Sequence, residues 1–121
     1  MASTFRITTK ASIGVTASPT TLYTAPAGTT VIVLGMSLCN KGTDQVTVKV
    51  LLETDTATSV NTGAGVANDN VTIVSDVVLA AGNTLEVMDG QKIILQTTDV
   101  LKVSSDTGSA VDVLFSYMEQ T

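Results

Sequence analysis

Apolar and polar side chains alternate with a period of two along most of the chain, and the alternation breaks at Gly, Pro, Asn and Asp. This is the pattern of short, half-buried strands joined by turns. Phe5 and Ile7 alternate with Thr4, Arg6 and Thr8 in a first strand. Residues 11–20 are small and polar, end near Pro19 and read as an irregular arm. Residues 21–24 form a second strand, closed by Ala25-Pro26-Ala27-Gly28, where proline presets φ and glycine can supply a positive one. Residues 30–39 are apolar on both sides, with Ile32, Leu34, Met36 and Leu38 on one and Val31, Val33, Gly35 and Cys39 on the other. That predicts a strand covered on both faces.

Beyond the polar turn Asn40-Lys41-Gly42-Thr43-Asp44, residues 45–53 set Val46, Val48 and Val50 against Thr47 and Lys49, which predicts a hairpin. Residues 71–79 make another β-rich run. Residues 84–88 and 92–95 are joined through Asp89-Gly90, a strong hairpin signal. Residues 99–103 and 111–118 complete the series. No segment sustains a 3.6-residue period. The predicted fold is all-β: an antiparallel β-sandwich of eight to nine short strands, in jelly-roll or Ig-like Greek-key order. At 121 residues it is expected to be one domain, 1–121, with an N-terminal arm 1–20 and a long loop 54–70. The loop is rich in Thr, Ser, Asn, Ala and Gly. Loops of that length are usually either functional or disordered.

A weak internal echo links Ala25-Pro26-Ala27-Gly28-Thr29-Thr30 to Leu79-Ala80-Ala81-Gly82-Asn83-Thr84. Two related halves, or one turn chemistry used twice, would both produce it.

Composition sharpens the fold and narrows the chemistry. Thr and Val dominate and Trp is absent, which favours pleated sheet over helix. The formal charge is −5 and the lysines Lys41, Lys49, Lys92 and Lys102 stand singly; Arg6 and Lys10 are the closest basic pair. Nucleic acid is therefore not an expected partner, since phosphate binding needs clustered cations. The most apolar run, 31–39, is about half of what a membrane-crossing helix requires, so no membrane partner is expected. The start Met1-Ala2-Ser3-Thr4 lacks a basic region followed by an apolar one and has Ala2 in place of the glycine that myristoylation needs, which points to synthesis in a cytoplasm.

With no histidine there is no Ser-His-Asp or Cys-His arrangement and no imidazole metal site. Cys39, the single cysteine, reads as a buried inert thiol. Glu53, Asp55, Asp76, Glu86 and Asp89 could in principle supply a paired-carboxylate mechanism, but nothing in their spacing favours it. Asn68-Asp69-Asn70 concentrates oxygen ligands without the EF-hand pattern, so an Asx turn is the better reading. Gly63-Ala64-Gly65 lacks the context of a phosphate loop. The expectation is a non-enzyme with no catalytic, cofactor-binding or metal-binding residues. A sugar-binding module would need aromatic faces, and Phe5, Tyr23, Phe115 and Tyr117 are all the chain offers; the last two share the alternation of Val111 and Val113 and read as core.

The run Leu22-Tyr23-Thr24-Ala25-Pro26-Ala27-Gly28-Thr29-Thr30-Val31, followed by Gly35-Met36-Ser37-Leu38-Cys39-Asn40, resembles small virion structural proteins of tailed bacteriophages. Ala80-Ala81-Gly82-Asn83-Thr84-Leu85, Gly90-Gln91-Lys92-Ile93-Ile94-Leu95, Val100-Leu101-Lys102-Val103-Ser104-Ser105 and Val111-Asp112-Val113-Leu114-Phe115-Ser116-Tyr117-Met118-Glu119 resemble the same family's later strands. These are strand-and-turn patterns, so they identify a scaffold and not a position on the particle. The resemblance implies a capsid decoration or cement protein on the outside of the head. A collar, neck or tail component is the alternative, and a carbohydrate-binding β-sandwich module comes after it. The implied location is the virion, after synthesis in the bacterial host cytoplasm. The implied partners are the major capsid protein or other virion proteins, and further copies of the chain, preferably as a trimer. The two apolar sides of 30–39, with Val50-Leu51-Leu52 and Val77-Val78-Leu79, independently predict a homo-oligomer. Residues 11–20 and 54–70 are the expected contact segments.

Overall fold

The computed structural model describes residues 2–15, 18–54, 69–88 and 92–121. Among them are nine strands and no helix: β1 (Ser3–Lys10), β2 (Thr20–Thr24), β3 (Thr30–Asn40), β4 (Val46–Glu53), β5 (Val71–Leu79), β6 (Thr84–Glu86), β7 (Ile93–Leu95), β8 (Val100–Ser105) and β9 (Val111–Gln120). The first sheet runs β1-β9-β3-β6, with β7 also pairing β3; the second runs β2-β8-β4-β5. All pairings between these strands are antiparallel.

The order has a simple origin. β4 pairs with β5, β3 with β6 and β7, β2 with β8, and β1 with β9. The chain is thus one long hairpin folded over itself, and the β9–β3 and β8–β4 ladders form where the folded ribbon meets its own flank. That is the jelly roll, the first of the two orders the alternation allowed.

Between the sheets lie Val31, Val33, Met36 and Leu38 of β3 and Val111, Val113, Phe115 and Tyr117 of β9. They face Leu22, Val46, Val48, Val50, Leu101 and Val103 of the second sheet. Each such side chain taken from water contributes about 1.5–3 kcal/mol, which offsets the ordering entropy of the backbone.

Two expectations about burial need correction. β3 is not covered on both faces. A bulge sets Val33 opposite Tyr117 but Gly35 opposite Ser116, so two residues of β3 span one of β9. The extra residue changes the phase: Val31 and Val33 point inward before it, and Met36, Leu38 and Asn40 after it. Ile32, Leu34 and Cys39 consequently share the outer face. Nor are residues 11–20 without core. Ile13 is fully buried, its N–H donating to the Val111 carbonyl and its carbonyl accepting from Ser109 N–H, so it plugs the end of the sandwich beside the β8–β9 turn. Gly14 follows because a Cβ there would sit 2.5 Å from the Ser18 carbonyl oxygen.

The echo between halves is one turn geometry reused. Thr29 N–H donates to Pro26 O around Gly28, and Asn83 N–H to Ala80 O around Gly82, both glycines at positive φ. Both turns carry the chain from the second sheet to the first. Asp99 N–H to Gln96 O makes a third such turn, with Thr98 at φ 69° in the glycine position. The Asp89-Gly90 turn and most of the predicted loop, 55–68, lie outside the described residues, but neither expected hairpin forms: β3 and β4 lie in different sheets because the chain crosses between layers at residues 40–44, and β6 and β7 each pair with β3 in place of each other.

Candidate functional site

The carboxylates singled out in the sequence are not brought together. Glu53 is 3.0 Å from the Lys102 ammonium, Asp76 is 3.9 Å from Lys49, and Glu86 sits on β6 opposite Ser37. Asp55 and Asp89 lie outside the described residues, as do Asn68 and Gly63-Ala64-Gly65. Asn70 Oδ1 accepts from Thr54 N–H at 2.9 Å, and Thr54 Oγ1 donates to the Asp69 carbonyl at 2.8 Å, closing the base of the segment between them. Among the described residues no group of three or more His, Cys, Asp or Glu could hold a metal, and no helix is long and apolar enough to cross a membrane.

Cys39 is half-buried on the outer face of the first sheet, in a shallow groove of about 430 Å³ that Lys10, Ser37, Thr84, Asp112 and Leu114 also line. This replaces the buried position expected of it. The Lys41 ammonium and the Ser12 N–H both bind Asp112 and hold its carboxyl below the usual range.

Three of the four aromatic rings face inward as a unit. Tyr117 lies 4.6 Å from both Phe115 and Tyr23, ring centre to ring centre, so β2 of one sheet is joined to β9 of the other. Tyr117 shares a hydrogen bond with Thr8, while Tyr23 Oη donates to one oxygen of Glu119 and Arg6 Nε to the other. Burial pushes the Tyr23 hydroxyl well above its ordinary range, with the Glu119 carboxylate adding to the rise. The same Tyr23 hydrogen bond, followed by Arg6, holds Glu119 low against partial desolvation. This network holds the sheets together and commits these three rings to packing between them. Phe5 is the exposed ring among the four.

On the second sheet Lys49, Glu53, Asp76 and Lys102 form charge pairs, with Val71 and Val78 exposed on its edge strand β5. On the first sheet the registers of β1, β9, β3 and β7 place Phe5, Met118, Ile32 and Ile94 in one row, with Ile7, Leu34 and Leu114 beside it. Phe5 is 73% exposed, Ile94 61% and Ile7 60%. Sequence reading located Phe5 and Ile7 as an alternating strand but could not assemble this row, because its members are far apart in the chain and meet only through register.

The four sheet edges differ. β2 has five residues and a bulge; β5 has two register shifts, one at Asp76 with φ 49°; β6 and β7 have three residues each. β1 runs eight residues against β9 without a break.

No protein-family model matches the chain, and no curated protein matches it. Solved structures share its fold. A Bacillus endospore appendage protein, described as belonging to a family of disulfide-linked pili, aligns over 99% of this chain and 87% of its own at 11% identity, with a TM-score of 0.52. A chain of the T13 particle of infectious bursal disease virus aligns over 97% of this chain at 9% identity, with a TM-score of 0.50. There the match spans 30% of the viral chain, so the likeness is to one portion of it.

Proposed function

We propose that this chain is a structural subunit of an assembled particle, specifically a decoration or cement protein on the outside of a tailed-phage head. The observation that carries the reading is the apolar row on the outer face of the first sheet. Exposed Phe5 and Ile94 at its ends, with half-buried Met118 and Ile32 between them, form a continuous apolar strip of the kind a domain rests on another protein. The shared fold with a viral particle protein and a pilus protein is compatible with such a role, as is the strand-and-turn resemblance to phage virion proteins. In this reading the chain catalyses nothing and holds no cofactor. Its partners are the major capsid protein and further copies of itself, for which the resemblance implies a trimer.

Imaging and sedimenting particles assembled without the protein tests the proposal. Heads that lose an outer density and break at lower temperature or osmotic stress support it, and purified protein added back should restore both. Intact heads with a missing collar or neck would move the protein to that part of the virion. Particles unchanged in composition and stability would overturn a virion role. Phe5→Ser with Ile94→Ser should fold and lose binding to heads, because both side chains are mostly in solvent.

A further inference from the structure

We infer that the free edge of β1 pairs with β1 of a second copy, antiparallel about a twofold axis at Ile7. The starting point is hydrogen-bond parity. Ala2 and Thr121 exchange both of their backbone bonds, Ala2 N–H to Thr121 O and Thr121 N–H to Ala2 O. In an antiparallel ladder such pairs alternate, so the backbone groups of Thr4, Arg6, Thr8 and Lys10 are turned to β9. Those of Ser3, Phe5, Ile7 and Thr9 are turned to the open side. Four of the eight residues of β1 thus present donors and acceptors that no strand among the described residues pairs, with Phe5 and Ile7 exposed beside them. An edge of this kind is a template for another strand.

The occupant follows from what a partner must supply, a regular strand edge of similar length. On a second copy, β2 and β5 are bulged and β6 and β7 are short. The matching edge among the described residues is β1 itself.

Charge fixes the register. Open-side residues must oppose open-side residues, and the longest overlap of Ser3–Lys10 under that rule puts the axis at Arg6 or at Ile7. Centring on Arg6 sets two guanidinium-bearing side chains directly opposite, a like-charge contact. Centring on Ile7 sets Arg6 opposite Thr8 and Lys10 opposite Thr4, separating every cation from its copy. Phe5 then opposes Thr9, Ile7 opposes Ile7, and about six backbone hydrogen bonds form. The two first sheets become one continuous sheet, and their apolar rows lie on the same face of it. The contact is isologous and closes a dimer. A trimer would need a different surface.

This inference deepens the self-association in the proposed function but stands on the edge geometry alone, and it is tested without particles. Sedimentation equilibrium of the full chain should give a dimer at high micromolar concentration. Ile7→Lys places two ammonium groups at the axis, and Ile7→Pro removes an outward N–H without touching the β9 ladder; both should give folded monomers by circular dichroism. In a Cys39→Ser background, Ile7→Cys places two Cα atoms about 5.5 Å apart across the axis, inside the range a disulfide spans, so mild oxidation should yield a covalent dimer. Phe5→Cys, about 14 Å from its copy in this register, should not cross-link. A wild-type monomer throughout the concentration range would overturn the inference. So would a dimer that survives both Ile7 substitutions, or cross-linking through Phe5→Cys in place of Ile7→Cys. A wild-type chain that dimerises but does not bind heads would count against the proposed function and leave the β1 contact standing.

Discussion

Asn40 carries more of the fold than its place in a turn suggests. Fully buried, it donates from Nδ2 to the carbonyls of Asp44 and Leu79 at 2.9 and 3.0 Å and accepts from Gly42 N–H at 3.0 Å, while its backbone bonds Asn83 and Gly82. One side chain therefore joins the β3–β4 turn to the end of β5. Asn40→Ala leaves two carbonyls and an N–H unmet and is expected to cost about 2–4 kcal/mol in urea unfolding. Asn40→Asp, which turns a donor into a charged acceptor facing two carbonyls, should cost more. Equal stability for Asn40→Ala and wild type would show that water replaces the amide.

Two carboxyls at the same scale should give opposite pH behaviour. Glu119 is held low by Tyr23 and Arg6, so the unfolded chain binds its proton more readily than the folded one. Its contribution is present above the usual carboxylate range and is lost as pH falls through the lowered value. Asp99 is raised by burial, opposed by the Gln96 N–H that it accepts at 2.9 Å. Its contribution is complete below about pH 4 and is lost as pH rises through the raised value. Thermal midpoints followed through the acid range should show Glu119→Gln flattening the fall toward low pH. Asp99→Asn should remove a slope of the other sign, raising stability near neutrality relative to acid. A Glu119→Gln profile superimposable on wild type would contradict the linkage.

Among the elements, β3 shows what alternation can and cannot deliver. Its strand character and length were legible in residues 30–39, but its faces were not. Alternation counts residues, and a bulge adds one without a signature beyond Gly35, a residue with several other uses. The phase change moves Cys39 outward, so a small alkylating reagent should label it in native buffer without unfolding; labelling only in denaturant would place the thiol back inside. Ile13 was missed for a related reason. A single apolar residue in a polar stretch has no period, and only the Val111 and Ser109 backbone bonds reveal it as a plug. The aromatic network was half legible: Phe115 and Tyr117 share the phase of Val111 and Val113, whereas Tyr23, Arg6 and Glu119 meet through folding between distant segments.

For the whole molecule, the layered all-β class followed from Val- and Thr-rich alternation, and the order of strands from none of it, since pairing is set by contacts between remote segments. The folded-hairpin connectivity has a consequence for synthesis. None of β1 to β4 pairs with another of the four; each waits for a strand made later, β4 for β5, β3 for β6 and β7, β2 for β8 and β1 for β9. A chain leaving the ribosome therefore has no native ladder until β5 has emerged, and its first strand is the last of the four to gain a partner. Closure proceeds from the middle of the sequence outward, and β9, wedged between β1 and β3, locks the first sheet only when nearly all of these residues have been translated. β1, which pairs on one side only among the described residues, is thus also the strand that spends longest without a partner while the protein is being made.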